Sequence, residues 1–248
     1  MSATGVEGFP PPNPPPQARG RAAPSPSPAL AGGRGTAAAP KAGRGGGDPL
    51  PIPPYRAQWE SPDLVPAFLA GRDRATDPLW CNSGADSVAE YALWADHLCG
   101  SACLQMALGA LGRDIPPIHA VRRGVEAHGG YVVQPDGAIR GLIYAGAIDW
   151  LAGQGIPART LLDLPAEGIA PLLGPGRLFI ASVHGAIRWP DRDPPARGGH
   201  LVLVFGTTET GALRFHNPSG DTPATQADAR LPPETFGRFF AGRGILVG

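Results

Sequence analysis

Three residues have the types, and the order along the chain, of a thiol nucleophile, its base and the group that orients the base. Cys99 begins an apolar helical pattern, His200 follows two glycines at the start of a strand pattern, and Asn217 follows the next strand pattern. A thiolate attacks carbonyl carbons, an imidazole can take the thiol proton, and a side-chain amide oxygen can hold the imidazole in one orientation. These residues therefore predict acyl transfer through a thioester.

The helix that Cys99 begins is predicted over residues 99–111. Its apolar stripe consists of residues spaced three or four apart, namely Cys103, Met106, Ala107, Ala110 and Leu111. Cys99 lies in the first turn, where unpaired N–H groups and the helix dipole favour a lowered thiol pKa. The N–H groups of Cys99 and Gly100 can also receive a developing oxyanion. We therefore expect Cys99 to be reactive and Cys103 to be a core residue.

The hydrophobic period changes after the helices. Helices are predicted over 116–128, 139–154, 166–173 and 234–240, and strands over 158–162, 177–183, 200–205, 212–216 and 244–247. The strands at 200–205 and 212–216 form a hairpin, which puts Asn217 beside the start of the His200 strand. Helices followed by an antiparallel sheet predict the α+β class.

Composition divides the chain near residue 54. Glycine and proline number 36 and 31 among 248 residues, and proline is concentrated at the front. The segment 1–54 has too few apolar groups to offset its chain entropy, so it is predicted to be a disordered Pro/Gly/Ala-rich tail. Residues 55–248 have the composition and length of one domain.

Charge, hydropathy and cysteine content limit the expected partners, the expected location and the expected state of the cysteines. The formal net charge is zero, from 21 basic and 21 acidic residues, and this predicts no nucleic-acid partner. The sequence has no basic segment followed by an apolar run, so no secretory signal is predicted. It has no long apolar window either, so no membrane span is predicted. The expected location is therefore cytoplasmic. Three cysteines in such a chain predict free thiols rather than disulfides.

A metal site is the alternative interpretation of the same side chains. The candidate ligands are thiols and imidazoles near the predicted nucleophile or on the sheet: Cys81, His97, Cys99, Cys103, His200 and His216. Structural zinc sites usually contain a C-x₂-C pair, whereas this chain has only C-x₃-C. We therefore predict neither a metal nor a cofactor.

Three segments carry a resemblance to a known family. The segment Cys99-Gly100-Ser101-Ala102-Cys103-Leu104-Gln105-Met106 matches Cys-Gly-x-Ala-Cys/Ser-Leu-x-Met, the nucleophile motif of the papain-like cysteine peptidases of family thirty-nine, the double-glycine or bacteriocin-leader peptidases. Residues 199–204 resemble the family's Gly-His-Phe/Tyr-Val-Val-Val strand. Residues 215–220 are similar to its Asp-Pro-x-x-Gly segment, with Asn217 in place of the commoner Asp. The resemblance covers roughly residues 90–247.

The resemblance implies a papain-like fold and a Cys99, His200 and Asn217 triad that hydrolyses peptide bonds, with cleavage after small residues such as Gly-Gly. The family usually has a Gln about six residues before the Cys as a donor to the oxyanion, and here that position is Leu93. Trp94 or Asn82 is the candidate replacement donor. The expected partner is a peptide or protein substrate. Two alternatives share these residues: an inactive or weakly active peptide-binding module, and a papain-like acyltransferase.

Overall fold

The helices of the chain precede most of its strands, as the hydrophobic periods predict. The computed structural model describes residues 52–248, so the predicted tail lies, up to residue 51, outside the described residues. The α-helices are α1 Val65–Leu69, α2 Val88–Trp94, α3 Cys99–Ala110, α4 Ile118–Glu126, α5 Tyr144–Gly153, α6 Pro223–Gln226 and α7 Pro233–Phe239. The strands are β1 Ala158–Leu161, β2 Leu178–Val183, β3 His200–Thr207, β4 Leu213–His216, β5 Ala229–Leu231 and β6 Phe240–Val247. The α+β prediction is confirmed.

The strands form an antiparallel sheet in the order β1-β6-β2-β3-β4-β5. β2 and β3 lie at its centre and are apolar on both faces. Leu201 and Leu203 pack with the helices on one face, and Val202 and Val204 pack in a second core that contains α7 on the other face. A strand buried on both faces is an almost continuous apolar run, as residues 200–205 are.

Helix α3 lies at the centre of the helical layer. Every residue from Cys99 to Leu108 is buried, so the buried surface is wider than the single predicted stripe. The helix packs against β3 on one side and against α4 on another. This position explains why its sequence is apolar or small all round, and it fixes the N-terminus of the helix relative to the start of β3.

Two predicted helices differ from the structure. The helix predicted over 139–154 begins at Tyr144, because Ile139 pairs with Val133 in a β-bridge and Gly141 has φ +78°. The segment 166–173 forms two 3₁₀ turns, Ala166–Gly168 and Ala170–Leu172. Pro171 interrupts it because proline has no N–H to donate. Strand β5 is only three residues long and was not predicted.

Within residues 52–248, no helix has both the length and the hydropathy needed to cross a membrane. The cytoplasmic location stays a prediction.

A buried histidine in the helical layer makes the stability depend on pH. His119 on α4 is 0% exposed, and burial, with Arg122 nearby, lowers its pKa to about 4. Between about pH 6.5 and 4 the unfolded chain therefore holds a proton that the folded chain does not, and stability falls as the pH falls. We expect His119→Leu to lose this dependence, so that the free energy of unfolding of the wild type drops by about 1 kcal/mol or more relative to the variant between pH 7 and 4.5.

Urea unfolding at pH 7, 5.5 and 4.5 measures this difference. His128→Leu is the matched control, because His128 is exposed and lies just beyond the end of the same helix. The account of His119 is wrong if the His119→Leu and His128→Leu variants show the same pH dependence.

Candidate active site

The thiol of Cys99 lies at the junction between the helical layer and the sheet. Cys99 is the first residue of α3, and no side chain caps the helix before it. The backbone N–H groups of Leu201, of Gly100 and of Cys99 itself act to lower the pKa of this thiol. Backbone donors around a sulfur favour its thiolate form. The residue is nevertheless 9% exposed, so little water reaches it.

The ionisation of Cys99 differs from the lowered pKa expected at a helix N-terminus. Burial raises the pKa of the Cys99 thiol above its ordinary value, and the three N–H donors offset this only in part. The desolvation of a thiolate is the larger effect here. Cys103 is fully buried and its pKa is raised well above the ordinary value, again by burial. The resting Cys99 is therefore a thiol, and its proton must be removed during any reaction.

His200 begins β3 after two glycines in the left-handed region, Gly198 at φ +85° and Gly199 at φ +92°. A side chain at either position would be strained, so these glycines allow the chain to turn sharply into the strand. His200 pairs with Val183 at the end of the β2–β3 ladder. The imidazole is consequently held at the end of a rigid strand, 8% exposed.

The side chain of Asn217 is bonded to the His200 ring. Asn217 Oδ1 lies 2.8 Å from His200 Nε2, and the backbone N–H of Ser219 donates to the same Oδ1 over 3.1 Å. A backbone N–H can only donate, so the atom that faces both groups must be the amide oxygen. His200 Nε2 therefore carries the proton, and Nδ1 of the neutral ring carries the lone pair. This is the tautomer of a base that accepts through Nδ1.

Two further side chains belong to this network and were missed in the sequence. Ser219 Oγ lies 3.1 Å from His200 Nε2, and Arg188 donates to Ser219 Oγ over 2.6 Å. Ser219 could have been suspected, because it lies two residues after Asn217 in the same turn. Arg188 lies in a separate loop 31 residues earlier in the chain, and no sequence pattern links it to the turn.

The charge state of His200 follows from its surroundings. Burial is the main cause that lowers the pKa of His200, to about 4, and the hydrogen bond to Asn217 opposes it. The positive charge of Arg188 and the neighbouring His184 lower the pKa further. His200 is therefore neutral at pH 7. The raised pKa of Cys99 and the lowered pKa of His200 both disfavour a resting thiolate–imidazolium pair.

Cys99 and His200 both line two neighbouring cavities. The first cavity, of about 460 Å³, is also lined by Arg140, Leu142, Tyr144, Ser182 and Arg243. The second cavity, of about 450 Å³, is also lined by Gln58, Trp59, Asp96, His184, Arg188 and Trp189. Cys99 and His200 are therefore shared by the walls of both cavities.

The predicted oxyanion donors are only partly brought together. Trp94 lines neither cavity; its ring packs edge-on against Tyr131, with the Arg122 guanidinium 4.4 Å from the ring centroid. Leu93, at the position of the family Gln, is 56% exposed. Asn82 lines a different cavity. The N–H groups of Cys99 and Gly100 do act on the sulfur, since both lower the pKa of the Cys99 thiol.

A glutamine does reach the second cavity, from an unexpected place in the chain. Gln58, far before the helix, lines this cavity with Cys99 and His200, and its Nε2 donates to the Ala95 carbonyl over 3.2 Å. One amide hydrogen is used in that bond and the other is left for a further acceptor. Spacing from Cys99 could not reveal Gln58, because the contact is made between distant parts of the chain.

Asp96 precedes α3 but does not cap it. Its carboxylate accepts from Arg74 over 2.9 Å and from the indole N–H of Trp59 over 3.2 Å. The negative charge is therefore paired with a guanidinium rather than aimed at the Cys99 thiol. Among residues 52–248 no three His, Cys, Asp or Glu side chains come together as metal ligands.

Comparisons with known proteins give a structural likeness only. No family model and no curated protein match the chain. The peptidase domain of Streptococcus ComA, a bi-functional ABC transporter in a quorum sensing pathway, is 18% identical, with a TM-score of 0.44 over 62% of this chain and 92% of that chain. A double glycine motif protease from an AMS/PCAT transporter, solved with its leader peptide, is 19% identical, with a TM-score of 0.40 over 60% and 82%.

A C39-like peptidase from Bacillus anthracis is 13% identical, with a TM-score of 0.45 over 62% of this chain and 89% of that chain. These structural neighbours are C39 peptidase domains, the family that the segment beginning at Cys99 resembles.

Proposed function

We propose that the chain is a cysteine peptidase, in which Cys99 is the nucleophile, His200 the general base and acid, and Asn217 the group that orients His200. The observation that supports this most is the hydrogen bond from His200 Nε2 to Asn217 Oδ1. With the amide oxygen fixed by the N–H of Ser219, the lone pair of His200 is on Nδ1, the nitrogen needed to accept a thiol proton.

The first half of the reaction forms a thioester. His200 Nδ1 takes the proton of Cys99 Sγ as the sulfur attacks the carbonyl carbon of the peptide bond. The carbonyl oxygen becomes an oxyanion, for which the N–H of Cys99 and the free amide hydrogen of Gln58 are the proposed donors. The C–N bond then breaks, and the imidazolium returns the proton to the leaving amine.

The second half releases the acyl group. His200 Nδ1 takes a proton from water, and the hydroxide oxygen attacks the thioester carbonyl carbon. The C–S bond breaks, the sulfur leaves as the thiolate of Cys99, and the imidazolium of His200 returns a proton to it. Because both charged forms are disfavoured by burial, proton transfer must accompany attack in each half.

Peptide cleavage tests the proposal. The protein is incubated with peptides that contain Gly-Gly, Gly-Ala or bulky pairs, and new termini are identified by mass spectrometry. We expect cleavage after small residues, an expectation that rests on the resemblance of the segment beginning at Cys99. Peptides that all stay intact would contradict the proposal.

The first cavity predicts a preference for acidic substrates. Arg140 and Arg243 line it together with Tyr144 and Ser182, and among residues 52–248 no acidic side chain does. Guanidinium groups bind carboxylates well. We expect a peptide with Glu on the side of the scissile bond that occupies this cavity to have a kcat/KM about two- to fivefold above its Lys counterpart, the range of an exposed ion pair.

The variant Arg243→Glu is expected to reverse that preference, and added salt to weaken it. Arg159→Glu is the matched control, because Arg159 is an exposed arginine on β1 that lines neither cavity. Equal rates for Glu and Lys peptides in the wild type, with cleavage intact, would remove the charge preference and leave the peptidase proposal standing.

The base of the site gives a pH prediction. Because the pKa of His200 is about 4, its base form predominates above that value, and kcat/KM is expected to stay level from pH 8 down to about 5. In Asn217→Asp a carboxylate replaces the neutral amide beside the imidazole and stabilises the imidazolium. The fall of kcat/KM at acidic pH then begins one or more pH units higher, on the order of the pKa shift that an adjacent opposite charge produces.

A pH series of kcat/KM for the two proteins measures the shift. Asn217→Ala, which removes the oxygen that holds His200, is the companion variant and is expected to lower the rate at every pH. An acid limb near pH 6.5 in the wild type, unchanged in Asn217→Asp, would contradict the assigned environment of His200.

One observation favours the alternative of a peptide-binding module. Burial raises the pKa of Cys99 and lowers that of His200, so the resting site holds no thiolate. A module would bind peptides across the two cavities without acylation of Cys99. Binding measured by calorimetry, with every bound peptide recovered intact, distinguishes the module from the peptidase.

A further inference from the structure

A short segment before the first helix is bonded to the turn that carries Asn217. We call residues 53–59 the N-terminal strap. His216 Nε2 donates to the Pro53 carbonyl over 2.8 Å, the Tyr55 hydroxyl donates to the Asn217 carbonyl over 3.2 Å, and the Gln58 N–H donates to the Pro218 carbonyl over 3.0 Å. Three successive residues of the turn are therefore bonded to the strap. The Tyr55 ring also packs edge-on against His216, at 5.7 Å between ring centroids.

The same strap is bonded to the segment that leads into Cys99. Gln58 Nε2 donates to the Ala95 carbonyl over 3.2 Å, and the Trp59 indole N–H donates to Asp96 Oδ1 over 3.2 Å. Ala95 and Asp96 belong to the 3₁₀ turn Ala95–His97, just before α3. Within five residues, Tyr55 to Trp59, the strap is therefore bonded to both halves of the site.

The geometry points to the strap as a clamp that fixes the Asn217 turn against the Cys99 helix, with Tyr55 as a positioning residue that acts on His200 through Asn217. The expected effect on kcat rests on the proposed function. The fixed position of the Asn217 turn rests on the hydrogen bonds alone. Tyr55 lines neither cavity that contains Cys99 and His200, so its hydroxyl does not contact the reacting atoms.

The clamp matters because the Asn217 turn is short. The Asn217 N–H donates to the Gln226 carbonyl over 2.8 Å, and the Asn217 carbonyl accepts from Gly220 and from Tyr55. Removal of the Tyr55 bond leaves the backbone of Asn217 itself bonded only to Gln226 and Gly220 of its own loop, while the strap keeps its bonds to His216 and to Pro218. The amide oxygen can then rotate away from His200 Nε2, and a base that has lost its orientation reacts more slowly even when the pocket is complete.

The test is Tyr55→Phe in the full chain, which removes one hydroxyl and keeps the ring. The matched control is Tyr91→Phe, because the Tyr91 hydroxyl bonds to the Glu60 N–H and to Asp77 but to neither half of the site. We expect Tyr55→Phe to lower kcat about three- to tenfold, the loss of roughly one hydrogen bond, with KM unchanged. Tyr91→Phe is expected to lower stability at least as much and to leave kcat unchanged.

A second readout does not depend on turnover. The Nε2 proton of His200, bonded to Asn217 Oδ1, is followed by NMR, and its exchange with water is expected to be several-fold faster in Tyr55→Phe than in the wild type or Tyr91→Phe. Wild-type exchange and wild-type kcat in Tyr55→Phe would overturn the clamp, as would equal losses of kcat in both variants. If the wild type cleaves no peptide, the proposed function fails, while the exchange measurement still decides the clamp.

Discussion

The Cys99→Ala variant is expected to cleave peptides no faster than the uncatalysed background. Removal of Sγ leaves no atom that can form the thioester, and loss of a covalent nucleophile typically lowers kcat by about 10⁴-fold or more. The fold should survive, because alanine fits the space of the thiol. Initial rates and urea unfolding curves on the same preparations separate loss of chemistry from loss of structure.

Two other cysteines supply matched controls. Cys103 lies one turn later on α3 and is fully buried, whereas Cys81 is exposed. Cys103→Ala is expected to lower stability modestly and to keep kcat within a few-fold of the wild type, and Cys81→Ser to change neither. Loss of cleavage in Cys103→Ala, with Cys99→Ala still active, would contradict the assignment of Cys99 as the nucleophile.

The His200→Ala variant is expected to lose activity as completely as Cys99→Ala, and the double variant to be no worse than either. Nucleophile and base act in one step, so their effects do not add. Because the thiol pKa is raised by burial, no thiolate is present at pH 7 to carry residual activity. Added imidazole is expected to restore part of the rate if it enters the space that the ring vacates.

His184 is the control for His200, since it also lines the second cavity but accepts a hydrogen bond from the Ala186 N–H. His184→Ala is expected to keep most of the activity. Additive losses in the Cys99→Ala and His200→Ala pair, or an equal loss in His184→Ala, would show that His200 does not act on Cys99.

The positions of the proposed triad residues could be predicted because each marks the end of a strong local pattern. Cys99 begins an apolar helix, His200 follows two glycines, and Asn217 follows a hairpin made of an almost continuous apolar strand and a shorter second strand. A hairpin brings its two ends together, so the contact between His200 and Asn217 is a local consequence of β3 and β4. Their catalytic roles stay proposals.

The ionisation of the site could not be predicted from the same patterns. A helix N-terminus lowers a thiol pKa only where water or a counter-charge can support the thiolate, and here Cys99 is almost fully enclosed. How deeply Cys99 and His200 are buried depends on the packing of α3 against the sheet. That packing involves the whole helical layer, and no short segment encodes it.

The surrounding groups were missed for a different reason. Arg188, Gln58 and Tyr55 reach the site from loops and from the strap, where the sequence has no hydrophobic period. Trp94 is close to Cys99 in the sequence, but α2 places its ring in the core against Tyr131. Proximity along the chain is a poor guide once a helix turns side chains through successive directions.

The most direct test of the account is the reaction with p-nitrophenyl acetate, a small ester that requires no peptide specificity. The account predicts a burst of about one nitrophenolate per chain, an acetyl group that peptide mapping places on Cys99, and neither of these in His200→Ala. A reaction without a burst, or an acetyl group on Cys103 or Cys81 in place of Cys99, would contradict it.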